Sequence, residues 1–308
     1  MKQSLKQYSI LTVILLTAFF LVSCSGGTAN GTQGSPFIGG MEGVVVSFEQ
    51  GQPMAEVYDA GQQVFNVQVK LENKGEHTVP KDRVKVTLGG FKEESFQQTT
   101  ATLTKNPSSY LLAMKKLSNG NTQEGGPTYV DFPNLNYNNS VTGSQLTLPF
   151  RVTACYEYQT IAQSTLCVRK NILSPTPNGV CTVGEDKQAF TSGGPLQMTA
   201  FKTAPRSQNT IQFTFTLEHK GTGTLHKIGS VCSANSTGTA SKIDDGKIFL
   251  KIDTGLKGLT CTGLSYTSTT GTLYQGTLTY RDAPIQLNCV QTLENLNDYV
   301  QPVTITTD

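Results

Sequence analysis

From Gly43 onward, apolar and polar residues alternate with a period of two. Val44, Val46 and Phe48 alternate with Val45 and Ser47, and Phe65, Val67, Val69 and Leu71 alternate with Asn66, Gln68, Lys70 and Glu72. That spacing places one set of side chains in a core and the other in water, which is the pattern of a half-buried strand. Asn73-Lys74-Gly75 supplies a turn after the second run, and Gly89-Gly90 closes a third strand at Val84–Leu88. Further strands are expected at Tyr129–Phe132 and at Gln145–Tyr158, where Leu146, Leu148, Phe150, Val152 and Ala154 share a face. Residues 108–117, SSYLLAMKKL, fit either a short helix capped by Ser108 or Ser109 or an irregular strand.

The later half repeats the theme. Ile211, Phe213, Phe215 and Leu217 alternate with Gln212, Thr214, Thr216 and Glu218. Ile248, Leu250 and Ile252 follow, then Leu278 with Tyr280, then Ile285, Leu287 and Cys289, then Val303 and Ile305. Short strands broken by Gly, Ser, Thr, Asn and Pro point to an all-β chain of sandwich type. The segment FNVQVKLENKG at Phe65–Gly75 also aligns with IQFTFTLEHKG at Ile211–Gly221, which suggests duplication. The expected organisation is a signal peptide at 1–23, a flexible tether at 24–41, a first sandwich at 42–173, a Pro-rich linker at 174–180 and a second sandwich at 181–308. The tether is rich in Gly, Ser and Thr and buries no core, and the linker holds SPTPNG, whose prolines forbid a ladder strand.

On the Leu71-Glu72-Asn73-Lys74-Gly75 ending and its second copy at 217–221, the chain resembles the immunoglobulin-like domains of archaeal surface proteins, including the CARDB-type modules. The resemblance implies two immunoglobulin-like β-sandwich domains in tandem with adhesive or surface-layer roles. The chain departs from antibody domains in having no tryptophan.

The N-terminus fixes the expected compartment. Lys2 and Lys6 precede an uncharged run from Ile10 to Val22. That length suits the apolar region of a signal peptide and falls short of the ~20 residues that cross a bilayer. Leu21-Val22-Ser23-Cys24 resembles the lipobox of prokaryotic lipoproteins. The resemblance implies cleavage before Cys24, lipid on its thiol, and a mature protein anchored on the extracellular face of the cell membrane. An ordinary cleaved signal, an uncleaved anchor and a pilin-type signal are the competing readings; the last is cut before the apolar run, where no Lys-Gly or Arg-Gly pair stands.

Charge narrows the partners. The chain holds 24 basic and 22 acidic residues, and loss of Lys2 and Lys6 makes the mature part neutral. No basic footprint for nucleic acid is left. The expected partners are the membrane, through the N-terminal lipid, and a protein or envelope component. Cysteine use fits export. Of seven cysteines, Cys24 goes to lipid, leaving Cys155, Cys167, Cys181, Cys232, Cys261 and Cys289, an even set that reads as three disulfides. The expected domain boundaries cut the 15 connectivities that six cysteines allow, and the pairing expected is Cys155–Cys167, Cys181–Cys232 and Cys261–Cys289.

Catalytic chemistry has little to stand on. The three histidines, His77, His219 and His226, lie near turns, and no zinc-protease helix, nucleophile elbow or phosphate loop occurs. No catalytic residue, cofactor or metal ligand is expected. Asp244-Asp245-Gly246 reads as a turn ahead of a calcium loop. Asn30, Asn138 and Asn235 head Asn-x-Ser/Thr sequons in polar stretches and are candidate glycosylation sites. The aromatic loop Tyr129–Tyr137, with Phe132 and Tyr137, is either a contact surface or core. The preferred reading is a non-catalytic surface lipoprotein serving adhesion, surface structure or protein–protein interaction. The alternatives are a carbohydrate-binding or enzymatic lipoprotein and an extracellular filament subunit.

Overall fold

The computed structural model describes residues 34–173, 180–230, 239–294 and 297–308. The expected signal peptide, Cys24, Asn30, Cys232, Asn235 and residues 174–179 of the linker lie outside the described residues. The first half contributes β1 (Val44–Phe48), β2 (Val64–Asn73), β3 (Val84–Gly89), β4 (Thr104–Lys105), β5 (Lys115–Lys116), β6 (Thr122–Gln123), β7 (Pro127–Asn136) and β8 (Arg151–Tyr156). These form a sheet ordered β1-β2-β7, a second ordered β4-β3-β8, and a β5-β6 pair. Period two explains the packing. Phe65, Val67, Val69 and Leu71 of β2 and Val84, Val86 and Leu88 of β3 turn into one buried core, joined by Phe96, Val130 and Phe132.

The second half begins with β9 (Thr160–Val168) and β10 (Phe190–Thr191), then β11 (Leu196–Ser207) and β12 (Thr210–His219). A six-residue helix, α1 (Thr239–Asp244), precedes β13 (Lys247–Asp253), β14 (Leu259–Thr262), β15 (Ser265–Thr270), β16 (Leu273–Thr279), β17 (Ile285–Thr292) and β18 (Tyr299–Thr307). One sheet is ordered β10-β9-β18-β13-β16-β15 and the other β11-β12-β17-β14. Ile211, Phe213, Phe215 and Leu217 of β12 and Ile248, Leu250 and Ile252 of β13 anchor a separate core. The chain is all-β with antiparallel sheets in sandwich packing, as its periodicity predicts.

The two halves share a pairing scheme. β1·β2, β2·β7, β3·β8 and β3·β4 are matched by β11·β12, β12·β17, β13·β18 and β13·β16. Register is kept as well. Val69 faces Val130 and Leu71 faces Thr128, while Phe215 faces Leu287 and Leu217 faces Ile285. Leu88 faces Val152 as Ile252 faces Ile305. The short sequence repeat thus sits on a much longer structural one.

Several expectations are corrected. Of the two readings of residues 108–117, the irregular strand holds and the helix does not. Leu111 bridges to Val79 and Lys115–Lys116 is strand, because Asn73 Nδ2 and the Val79 backbone hold this segment extended. The strand expected from Gln145 begins only at Arg151, after Pro149, and Leu146 is exposed. Two cysteine pairings fall. Cys167 is bonded to Cys181, which displaces both Cys155–Cys167 and Cys181–Cys232. A Cys155–Cys167 bond would staple a β8-β9 hairpin, but β8 pairs with β3 while β9 runs on to pair with β18 and β10. Cys155 is itself disulfide-bonded. Cys261 and Cys289 lie opposite each other on β14 and β17, are bonded, and bring Cys289 into the second core.

Candidate interaction surface

The edge of β8 follows from strand alternation. The Glu157 N–H donates to the Arg83 carbonyl, and the Leu88 N–H donates away, to the Leu103 carbonyl on the β4 side. Lys85, Thr87 and Gly89 therefore share ladder bonds with Cys155, Thr153 and Arg151. Val152, Ala154 and Tyr156 present their backbone groups on the opposite side, where no strand is hydrogen-bonded to them among the described residues and β1 packs nearby without joining the ladder. Their side chains point into the first core yet stay half-buried, while Val84, Val86 and Leu88 across the ladder are at most 1% exposed. The counterpart strand, β18, has β9 along the corresponding edge.

Next to this edge the two halves are locked together by Glu76. Its carboxylate accepts the N–H groups of Ile38 (3.0 Å), Gly39 (2.9 Å) and Gly193 (2.6 Å). The Glu76 N–H in turn donates to the Gly193 carbonyl at 2.9 Å, and the Tyr158 hydroxyl donates to the same oxygen at 3.1 Å. Gly75 permits this approach, since a Cβ there would stand 1.9 Å from the Tyr158 hydroxyl. Burial holds the Tyr156 and Tyr158 phenols above their ordinary range, which keeps both neutral; Tyr158 donates to Gly193, and Tyr156 accepts the Val44 N–H. The latch escapes sequence reasoning, though one signal was available. The two repeat copies part company at Glu76, where the second has Thr222.

A shallow cleft of about 190 Å³ opens beside the latch, lined by His77, Arg83, Glu157, Tyr158, Gln159 and Asp308 among others. Its charges are already engaged. Arg83 pairs with Glu157 at 3.1 Å, and Asp308 accepts from Gln159 at 2.8 Å and pairs with Lys251 at 2.6 Å. Small-molecule pockets usually enclose ~300–1,000 Å³. Burial pushes the His77 imidazole below its ordinary pKa against the pull of Asp308, and the ring packs edge-on to Tyr158. His219 is lowered for the same reason and packs against Tyr280.

The other sequence candidates are scattered. Asn138 is exposed in a loop, its N–H bonded to the Ser95 carbonyl. Asp245 pairs with His226 at 2.9 Å and Asp244 with Lys247 at 3.5 Å. Among the described residues no group of three His, Cys, Asp or Glu is placed to hold a metal. Tyr129–Tyr137 is mainly strand β7, not an aromatic loop. Phe132 is core, Tyr137 packs on Phe96, and only Tyr129 faces water. No protein-family model matches the chain, and the comparison with curated proteins returns no match.

Proposed function

We propose that this chain is a non-catalytic lipoprotein of the extracellular membrane face, anchored through lipid on Cys24, whose two immunoglobulin-like sandwiches serve protein–protein interaction at the surface. The observation that carries this reading is the duplicated set of strand pairings. Such a scaffold holds loops and edges rigidly for contact with another polypeptide. The Glu76 latch supports it by ordering Ile38 and Gly39, the chain that leads back toward the proposed anchor, against the sandwiches. Membrane fractionation tests the anchor. Wild-type protein should sediment with membranes and Cys24→Ser should be released in folded form, since binding at this level needs acyl chains. Retention of Cys24→Ser in the membrane fraction would count against the reading.

A further inference from the structure

We infer that the free edge of β8 is a strand-accepting site, and that its partner is an extended, uncharged segment of another polypeptide with the side-chain pattern of β9. The inference rests on the surface-interaction reading and names the class of partner. The chain itself displays the equivalent complex. β9 lies antiparallel on β18, with Ala162 opposite Ile305 and Thr160 opposite Thr307. Ile305 and Thr307 correspond to Val152 and Ala154, because both pairs sit opposite the same core positions of β13 and β3. β9 turns Thr160, Ala162, Ser164 and Leu166 inward, so small and aliphatic side chains fill the space beside β18.

The chain cannot fill the β8 edge with that strand. Only Glu157–Gln159 separate β8 from β9, and β9 is committed to the second sheet. The edge also lacks the usual guards. Exposed edges are protected by charge, proline or bulges. β11 has Lys202, Pro205 and Arg206 and two register breaks, and β7 has two prolines and a bulge. Val152–Tyr156 has none of these, and its pairing with β3 is unbroken. The bond from the Val44 N–H to the Tyr156 hydroxyl closes one end, so the accepted strand runs along Val152 and Ala154. A second copy is a poor donor. Its edge β15 offers Ser, Thr and Tyr but no aliphatic side chain for the gap, and its aliphatic edges β1 and β14 are only five and four residues long against the nine of β9.

The test uses the full-length chain carrying Cys24→Ser and a synthetic peptide, TIAQSTLSV, which is β9 with serine in place of cysteine. On saturation, amide exchange at Val152 and Ala154 should slow by about tenfold, the direction expected when a free N–H enters a ladder. The same peptide carrying Ala162→Asp and Ser164→Asp should bind about tenfold more weakly, since two charges would face the core. In the protein, Ala154→Pro deletes an outward N–H without cutting a bond to β3 and should weaken binding by a similar factor. Should that variant unfold, the aspartate peptide decides alone. Absence of protection at β8, protection confined to β18 or β15, or dimerisation without peptide that Ala154→Pro abolishes would each overturn the assignment. None of these results bears on whether Cys24→Ser leaves the membrane, so failure of the anchor reading stays separate.

Discussion

Gly75 is the residue on which the junction turns. A methyl group there would meet the Tyr158 hydroxyl at 1.9 Å and the Gly193 carbonyl at 2.7 Å. Gly75→Ala must therefore push apart the contact that Glu76 closes. A loss of about 2 kcal/mol is expected from denaturant midpoints, as for other overpacked sites. Gly223→Ala, which would meet open space, should stay within about 0.5 kcal/mol. Protonation acts at the same scale. His77 and His219 titrate below their ordinary value of 6.5 in the folded chain because burial disfavours the imidazolium. The unfolded chain then binds protons at higher pH than the native one. Stability is full above 6.5, falls as the pH drops below it, and levels off once the native imidazoles also protonate. Glu72, held low chiefly by its bond to Lys70, adds loss in the same direction below 4.5. Melting temperatures between pH 7 and 5 should therefore fall for wild type and fall less for the His77→Gln, His219→Asn double variant; equal slopes would discard the burial argument.

At the scale of elements, the strands visible in the sequence are those whose two faces differ in polarity. β2, β3, β12, β13 and β17 alternate cleanly, and each lies where expected. β9 was invisible because its inward face holds Thr160 and Ser164, whose burial is offset by bonds such as Ser164 Oγ to the Gln188 carbonyl. β11 was missed because a register break between Met198 and Ala200 shifts its alternation, and β15 because all six of its residues are exposed. The free edge of β8 was hidden for a further reason: periodicity reports which face a side chain takes, not which strands lie beside it. The same ignorance misdirected the cysteines. With Cys167 joined to Cys181 and Cys261 to Cys289, non-reducing peptide maps should link Cys155 to Cys232, the cysteine left once Cys24 carries lipid. A Cys155–Cys167 peptide would refute the strand order of β8 and β9. Opening the Cys167–Cys181 bond by double serine substitution should remove about 3 kcal/mol, the chain-entropy value for a loop of this size.

Over the whole molecule, two cores built on one pairing scheme have no side chain in common among the described residues, and Glu76 bonds across the junction between the halves. Val67→Ala in the first and Phe213→Ala in the second remove fully buried groups, and losses of about 1–3 and 3–5 kcal/mol are expected respectively. Whether the other half feels that loss depends on the junction. Three backbone donors converge on one carboxylate, so Glu76→Ala leaves the Ile38, Gly39 and Gly193 N–H groups without it. An unmet donor costs about 1–3 kcal/mol when it stays out of water. Opening the interface to hydrate these groups is then the cheaper response, and it removes the coupling. Calorimetry should show a single transition for wild type and two for Glu76→Ala, with Phe213→Ala in that background shifting only one of them. A single transition in Glu76→Ala, moved as a whole by Phe213→Ala, would mean that the halves are joined mainly by the continuous run from β8 into β9. The carboxylate would then be a local cap on the Gly193 turn, with no part in holding the halves together.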